Sequence, residues 1–226
     1  ETLPEPFRKV TRLSQHISYL KDFFRAYKGF SDSEIDTIEI MLMKLYARFD
    51  IDDLTDFNKL KPADYPVMQD HTGGEYYLKH NFYKESSAYG VPYIAEHCDP
   101  MEPSDNVIIY GHHMNNGSMF AGLMNYEDRD FYEQHKTVRF DTLTETAEYE
   151  VIAVFKTTVY DDTGFKFYLF SYAETEKEFT DYVEQCRELA LYDTGVTATY
   201  GDKLLTLSTC EYSNTNGRLV VVAKKI

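Results

Sequence analysis

The chain has 226 residues, 43% of them hydrophobic, with 38 acidic against 23 basic side chains and a formal charge of −15. That content is enough for a real core, while the acidic balance argues against nucleic acid, which needs clustered Lys and Arg, and is what a solvated surface looks like. No run approaches the roughly 18 apolar residues of a membrane span, and three cysteines make no disulfide framework and leave at least one thiol free.

In chain order, residues 8 to 28 place Val10, Leu13, Ile17, Leu20, Phe24 and Tyr27 at spacings of three and four, the stripe of a helix that Gly29 ends. Ser31 with Glu34 predicts a capping box, and Ile35, Ile38, Leu42, Leu45 and Phe49 continue as a second amphipathic helix. Residues 50 to 63 are acidic and irregular, with a short helical turn expected around Leu54 to Leu60. From Tyr65 onward the pattern changes to short strands with turn residues between, as in an all-β barrel or sandwich. Strands are expected near 65–69, 75–79, 90–97, 106–112, 137–143, 147–159, 165–171, 203–210 and 218–225. Helices are expected over Ser118 to His135 and over Thr175 to Tyr192, the latter with Phe179, Val183 and Cys186 on one stripe. No repeat, low-complexity tract or Pro/Gly-rich linker divides the chain, which predicts one structural domain: an N-terminal helical segment over 1–63 packed on a β body over 64–226.

The last two strands, KLLTLSTCE and RLVVVAKK, flank Ser213 to Gly217, and the Asn-Gly ending of that segment is a hairpin signal. With those five residues as the loop, Tyr212 faces Arg218 and Cys210 faces Val220, all four on one side of the ribbon. Arg218 is then a diagonal neighbour of Cys210, within reach of its guanidinium, and a nearby cation favours the thiolate that acts as nucleophile. On the hairpin alone, a buried strand cysteine beside a surface arginine explains the pair as well. Cys186 reads as core. His97-Cys98-Asp99 lacks the paired spacing of a zinc site, so no metal is expected. Neither HExxH, CxxC, GxSxG nor a phosphate-binding loop occurs.

Thr206-Leu207-Ser208-Thr209-Cys210, followed eight residues later by Arg218, resembles the signature of the sortases, cysteine transpeptidases of Gram-positive cell surfaces. That family places a histidine about a hundred residues upstream, after a glycine at a strand end, and NVIIYGHHM over Asn106 to Met114 supplies Gly111 and His112. The Tyr110 to His113 run, Gly117 to Phe120, Asp64-Tyr65-Pro66-Val67 and Tyr76-Tyr77-Leu78 resemble class B, and the resemblance covers roughly 64–226. Residues 50 to 63 depart from it: either Phe49 to Ile51 is a degenerate version of the family's Gly-Trp-Ile-like first strand, or that strand is missing or replaced.

The resemblance implies a mainly β fold: a closed sortase-type β-barrel of about eight strands with two N-terminal helices and further helices between strands. It implies Cys210 as nucleophile, His112 rather than His113 as general acid and base, and Arg218 as donor to the reacting carbonyl, with Tyr110, Ser208, Thr209 and Glu211 lining the substrate. No cofactor is implied. The expected partners are the Asn-Pro-x-Thr-x sorting signal of a secreted protein and an amine of peptidoglycan or its lipid-linked precursor. The expected place is the outer face of the membrane, held by an N-terminal anchor that this chain lacks. A pilin lysine as acceptor, or a non-catalytic surface binding domain on the same fold, are the alternatives.

Overall fold

A computed structural model describes residues 17, 18, 20–22, 24, 25, 29–48, 65–71, 75–142, 144–160 and 164–226. The chain divides into two compact units, Glu1–Lys59 and Leu60–Ile226. In the first unit the described residues between 17 and 25 are helical, and α1 runs over Asp32–Arg48. Glu34 reaches back to Ser31 as in the expected capping box, with Ser31 N and Oγ both donating to Glu34 Oε2 at 2.9 and 2.6 Å, so the hydroxyl donates to the carboxylate. Those bonds hold the Glu34 carboxyl below its usual range. Ile35, Leu42 and Tyr46 form the buried stripe of α1. Val10, Leu13 and Tyr27 of the stripe expected over 8–28, Phe49 and the segment 50–63 lie outside the described residues.

In the second unit seven strands make one sheet: β1 Met68–Gln69, β2 Tyr93–Ile94, β3 Asn106–Tyr110, β4 Thr137–Asp141, β5 Thr146–Thr158, β6 Leu204–Glu211 and β7 Gly217–Lys225. Their order is β1-β2-β3-β6-β7-β5-β4, a curled sheet with β1 and β4 at its ends, where a closed barrel of about eight strands is the expectation. Two expected strands are 3-10 turns instead, Tyr76–Leu78 and Phe167–Leu169. The aromatic residues there are strand formers, but the turns satisfy their backbone locally, Leu78 N donating to Glu75 O and Leu169 N to Lys166 O at 3.0 Å each. Each buries one ring, Tyr77 or Phe167.

The helix expected over 118–135 is a 3-10 segment, Phe120–Glu127, followed by a short α2, Arg129–Gln134, which begins where Asp128 accepts from Asp130 N. The later helix, α3 over Glu176–Glu188, has Thr175 as its cap and buries Phe179, Tyr182, Val183 and Cys186.

β7 carries five consecutive buried residues, Leu219 to Ala223, so both faces of the sheet centre are covered. Phe155, Ile152, Leu204 and Leu205 complete that centre. The arrangement that matters for function is the parallel pairing of β3 with β6, from Asn106↔Leu204 to Tyr110↔Ser208. It brings together two strand ends about a hundred residues apart in sequence. The opposite end of the ladder is anchored by Asn106, whose Nδ2 donates to Phe170 O at 2.9 Å and to Tyr182 Oη at 3.2 Å, while Thr206 Oγ1 donates to Asn106 Oδ1 at 2.8 Å.

Candidate active site

The β6–β7 hairpin turns over residues 212–216, because Gly217 N bonds Asn214 O at 3.1 Å and Asn216 adopts a left-handed φ of 58°. Cys210 therefore stands directly opposite Arg218, and Ser208 opposite Val220. This differs from the expected register, in which Cys210 faces Val220 and the two residues are diagonal neighbours. The loop starts and ends one residue earlier than the Asn-Gly signal suggests. Because the partner changes by two residues, side-chain parity is unchanged, and Cys210 and Arg218 still share a face.

Of the three cysteines, Cys98 and Cys186 are buried and Cys210 is half-exposed. Burial pushes the Cys186 thiol up to about 12 and raises Cys98, whose Sγ is turned to Asn106 O rather than toward His97. Both are held as neutral thiols at ordinary pH. Arg218 donates through Nη1 to Gly217 O at 2.9 Å. Among the described residues no carboxylate pairs with it, so its charge is available to whatever lies over Cys210.

At the end of β3, Gly111 N donates to Ser208 O at 3.1 Å and Thr209 Oγ1 to Gly111 O at 2.8 Å, which carries the backbone of residues 111–113 along β6 toward Cys210. His112 is half-buried, and its Nε2 lies 2.8 Å from Leu78 O in the first 3-10 turn. A carbonyl only accepts, so Nε2 carries the proton and Nδ1 is the ring atom left for exchange. His113 points elsewhere, its Nδ1 3.0 Å from Cys210 O. Gly111 leaves room for Phe120: a Cβ there would lie 2.4 Å from Phe120 Cγ.

Tyr93 and Tyr110 pair across β2 and β3 with ring centroids 5.5 Å apart, and Tyr110 also pairs with Ser208. Tyr93 is pushed up to about 12, first by burial and then by the Glu75 carboxylate and the Tyr160 phenol, with Arg218 pulling the other way and Cys210 also in electrostatic reach. Tyr110 is raised for the same leading reason. One face thus gathers Tyr93, Tyr110, Ser208, Cys210 and Arg218. Ser208 Oγ is buried on it without a hydrogen-bond partner among the described residues.

The other two residues expected to line the substrate turn the opposite way. Thr209 is buried, with its hydroxyl on Gly111 O. Glu211 is 5% exposed; it accepts from Ser213 N at 2.7 Å and Ser213 Oγ at 2.8 Å, and pairs with Lys156 of β5 at 3.6 Å. Their side chains are already committed to protein groups. Conversely, nothing local in the sequence ties Tyr93, Glu75, Tyr160 or the carbonyl of Leu78 to the site, because no spacing rule connects these segments to the hairpin.

Comparison with known proteins adds a family and relatives. A family described as Sortase domain matches residues 56–226. A protein named Sortase B from Listeria monocytogenes is 36% identical over 166 residues, and one from Staphylococcus aureus 32% over 165. Each match takes in 72% of this chain and 65% of the relative, so the chain spans just under two thirds of these relatives' length. A solved Staphylococcus aureus sortase B–substrate complex superimposes with a TM-score of 0.67 at 26% identity, covering 95% of this chain and 93% of that one.

Proposed function

The chain belongs to the sortase family, in its class B, and from that premise we propose that it is a cysteine transpeptidase that recognises a C-terminal sorting signal of the Asn-Pro-x-Thr-x kind. The observation that carries this reading is the half-exposed Cys210 directly opposite Arg218, which no carboxylate among the described residues neutralises, at the end of a strand running parallel beside Gly111-His112. The substrate-bound structure of the staphylococcal neighbour supports a peptide partner.

In this mechanism the Cys210 thiolate attacks the Thr carbonyl, forming the S–C bond. As the tetrahedral intermediate collapses, the C–N bond breaks and His112 Nδ1–H protonates the departing amine. Nε2 stays bonded to Leu78 O throughout, which fixes the ring while Nδ1 exchanges its proton. An incoming amine then attacks the thioester, gives its proton to His112, and releases the thiolate. Arg218 donates to the oxygen on which negative charge builds. Tyr110, half-buried on the Cys210 face, lines the bound peptide, with Ser208 beneath it. The acceptor is an amine of peptidoglycan or its precursor, and the enzyme works at the outer face of the membrane.

The test is cleavage of a fluorogenic Asn-Pro-Gln-Thr peptide by wild type and by Cys210→Ala. Wild type is expected to cleave it and the variant to be silent; equal turnover by both, or none by either, sinks the reading. Mass spectrometry of products formed with triglycine, diaminopimelate or a pilin-type lysine peptide then identifies the acceptor.

A further inference from the structure

The β3–β6 ladder leaves one acceptor without its regular partner. Leu204 N donates to Asp105 O at 2.8 Å and Gly111 N to Ser208 O at 3.1 Å, so even-numbered residues of β6 direct their backbone groups toward β3. Two residues on, the carbonyl of Cys210 points to where the N–H of residue 113 would continue the ladder. The chain leaves the sheet there: His113 bridges Met119, with Phe120 N bonding His112 O at 2.8 Å. The ring of His113 fills the gap, Nδ1 donating to Cys210 O at 3.0 Å. Tyr212, just beyond β6, closes the loop: its hydroxyl donates to His113 O at 3.1 Å, and the two ring centroids are 5.1 Å apart.

We propose that His113 is a positioning residue: its imidazole stands in for the missing ladder donor and, clamped by Tyr212, holds the Cys210 backbone in register with His112. The inference rests on the transpeptidase reading above for its role, although the clasp itself does not. Two adjacent histidines then divide the labour, one exchanging protons with the substrate and one splinting the nucleophile. The carbonyl only accepts, so Nδ1 is the donating atom of the splint.

The experiment compares wild type with His113→Ala, His113→Asn and Tyr212→Phe in peptide cleavage, in the rate of Cys210 alkylation by iodoacetamide from pH 5 to 9, and in thermal unfolding. Cys98 and Cys186 are buried, so a single added label reads Cys210. Losing the bond is expected to lower kcat about tenfold at unchanged KM. His113→Asn, whose amide can also donate, is expected to regain most of that loss, with Tyr212→Phe falling between. Alkylation rates should fall in the same order across the pH range. Wild-type rates in His113→Ala overturn the proposal, as does a loss of kcat matched by a fall in melting temperature with no rescue by Asn. A loss of about a thousandfold, unrescued, would make His113 the proton-transfer residue instead. If wild type itself cleaves no peptide, the transpeptidase reading fails, and the alkylation series still decides whether His113 governs Cys210.

Discussion

At the scale of single residues, the site depends on groups whose geometry their nearest relatives cannot reproduce. Arg218 presents a planar fork with no competing carboxylate among the described residues, whereas lysine offers one compact, strongly hydrated charge. Arg218→Lys is therefore expected to lower kcat about a hundredfold, the cost of losing one donor to a developing oxyanion, as peptide cleavage kinetics would show. Gly111 has a different constraint. Its Cα faces the Phe120 ring, and the Phe120 backbone is tied to His112 O, so the ring cannot retreat without moving His112. Gly111→Ala should cost about 1 to 3 kcal/mol in overpacking, measurable by urea denaturation, and should reduce cleavage beyond what the stability loss explains.

At the scale of elements, the β6–β7 hairpin is held from its buried side. Burial alone would push the Glu211 carboxyl up, but the Ser213 hydroxyl and N–H together with Lys156 outweigh it and hold the group below its ordinary 4.5. A carboxylate depressed in the folded state contributes stability above its unfolded pKa and loses it as pH falls through the folded value. Glu211→Gln should therefore melt lower than wild type at pH 7, and the gap should close as pH falls below about 4.5. A gap that widens in acid would contradict this account. Gly217 belongs to the same device, since a Cβ there would meet Glu211 O at 2.6 Å and Glu211 Oε2 at 2.9 Å. The hairpin was legible in its two runs of strand-forming residues and the Asn-Gly between them. Its register was not, because Asn-Gly suits more than one loop phase and the deciding contacts, Glu211 to Ser213 and Lys156, join a turn to a strand some fifty residues away.

At the scale of the whole molecule, two distant segments share one ladder, and its far end is fastened by a buried polar network. Asn106 satisfies Phe170 O, Tyr182 and Thr206 together, beneath α3. Asn106→Ala would leave Phe170 O without its partner and Tyr182 Oη and Thr206 Oγ1 with only their long 3.5 Å contact to each other, at roughly 1 to 3 kcal/mol for each group left unpaired when no water replaces the partner. A total loss of about 3 kcal/mol is expected in urea unfolding, with the slope unchanged. A shift under half that size would mean the network relaxes onto other partners.

The sequence by itself determined the β character of 64–226, the amphipathic helices α1 and α3, and the chemistry-bearing motifs around Cys210, His112 and Arg218, because each is written in local period or in contiguous residue types. Tertiary structure alone decided that the Cys210 and Arg218 side chains oppose each other directly, that Thr209 and Glu211 turn inward, that Leu78 holds the His112 ring and that His113 braces the Cys210 carbonyl. Those outcomes depend on which strands become neighbours and where the chain leaves the sheet. Pairing partners and exit points are set by the packing of segments far apart in sequence, to which no local pattern refers.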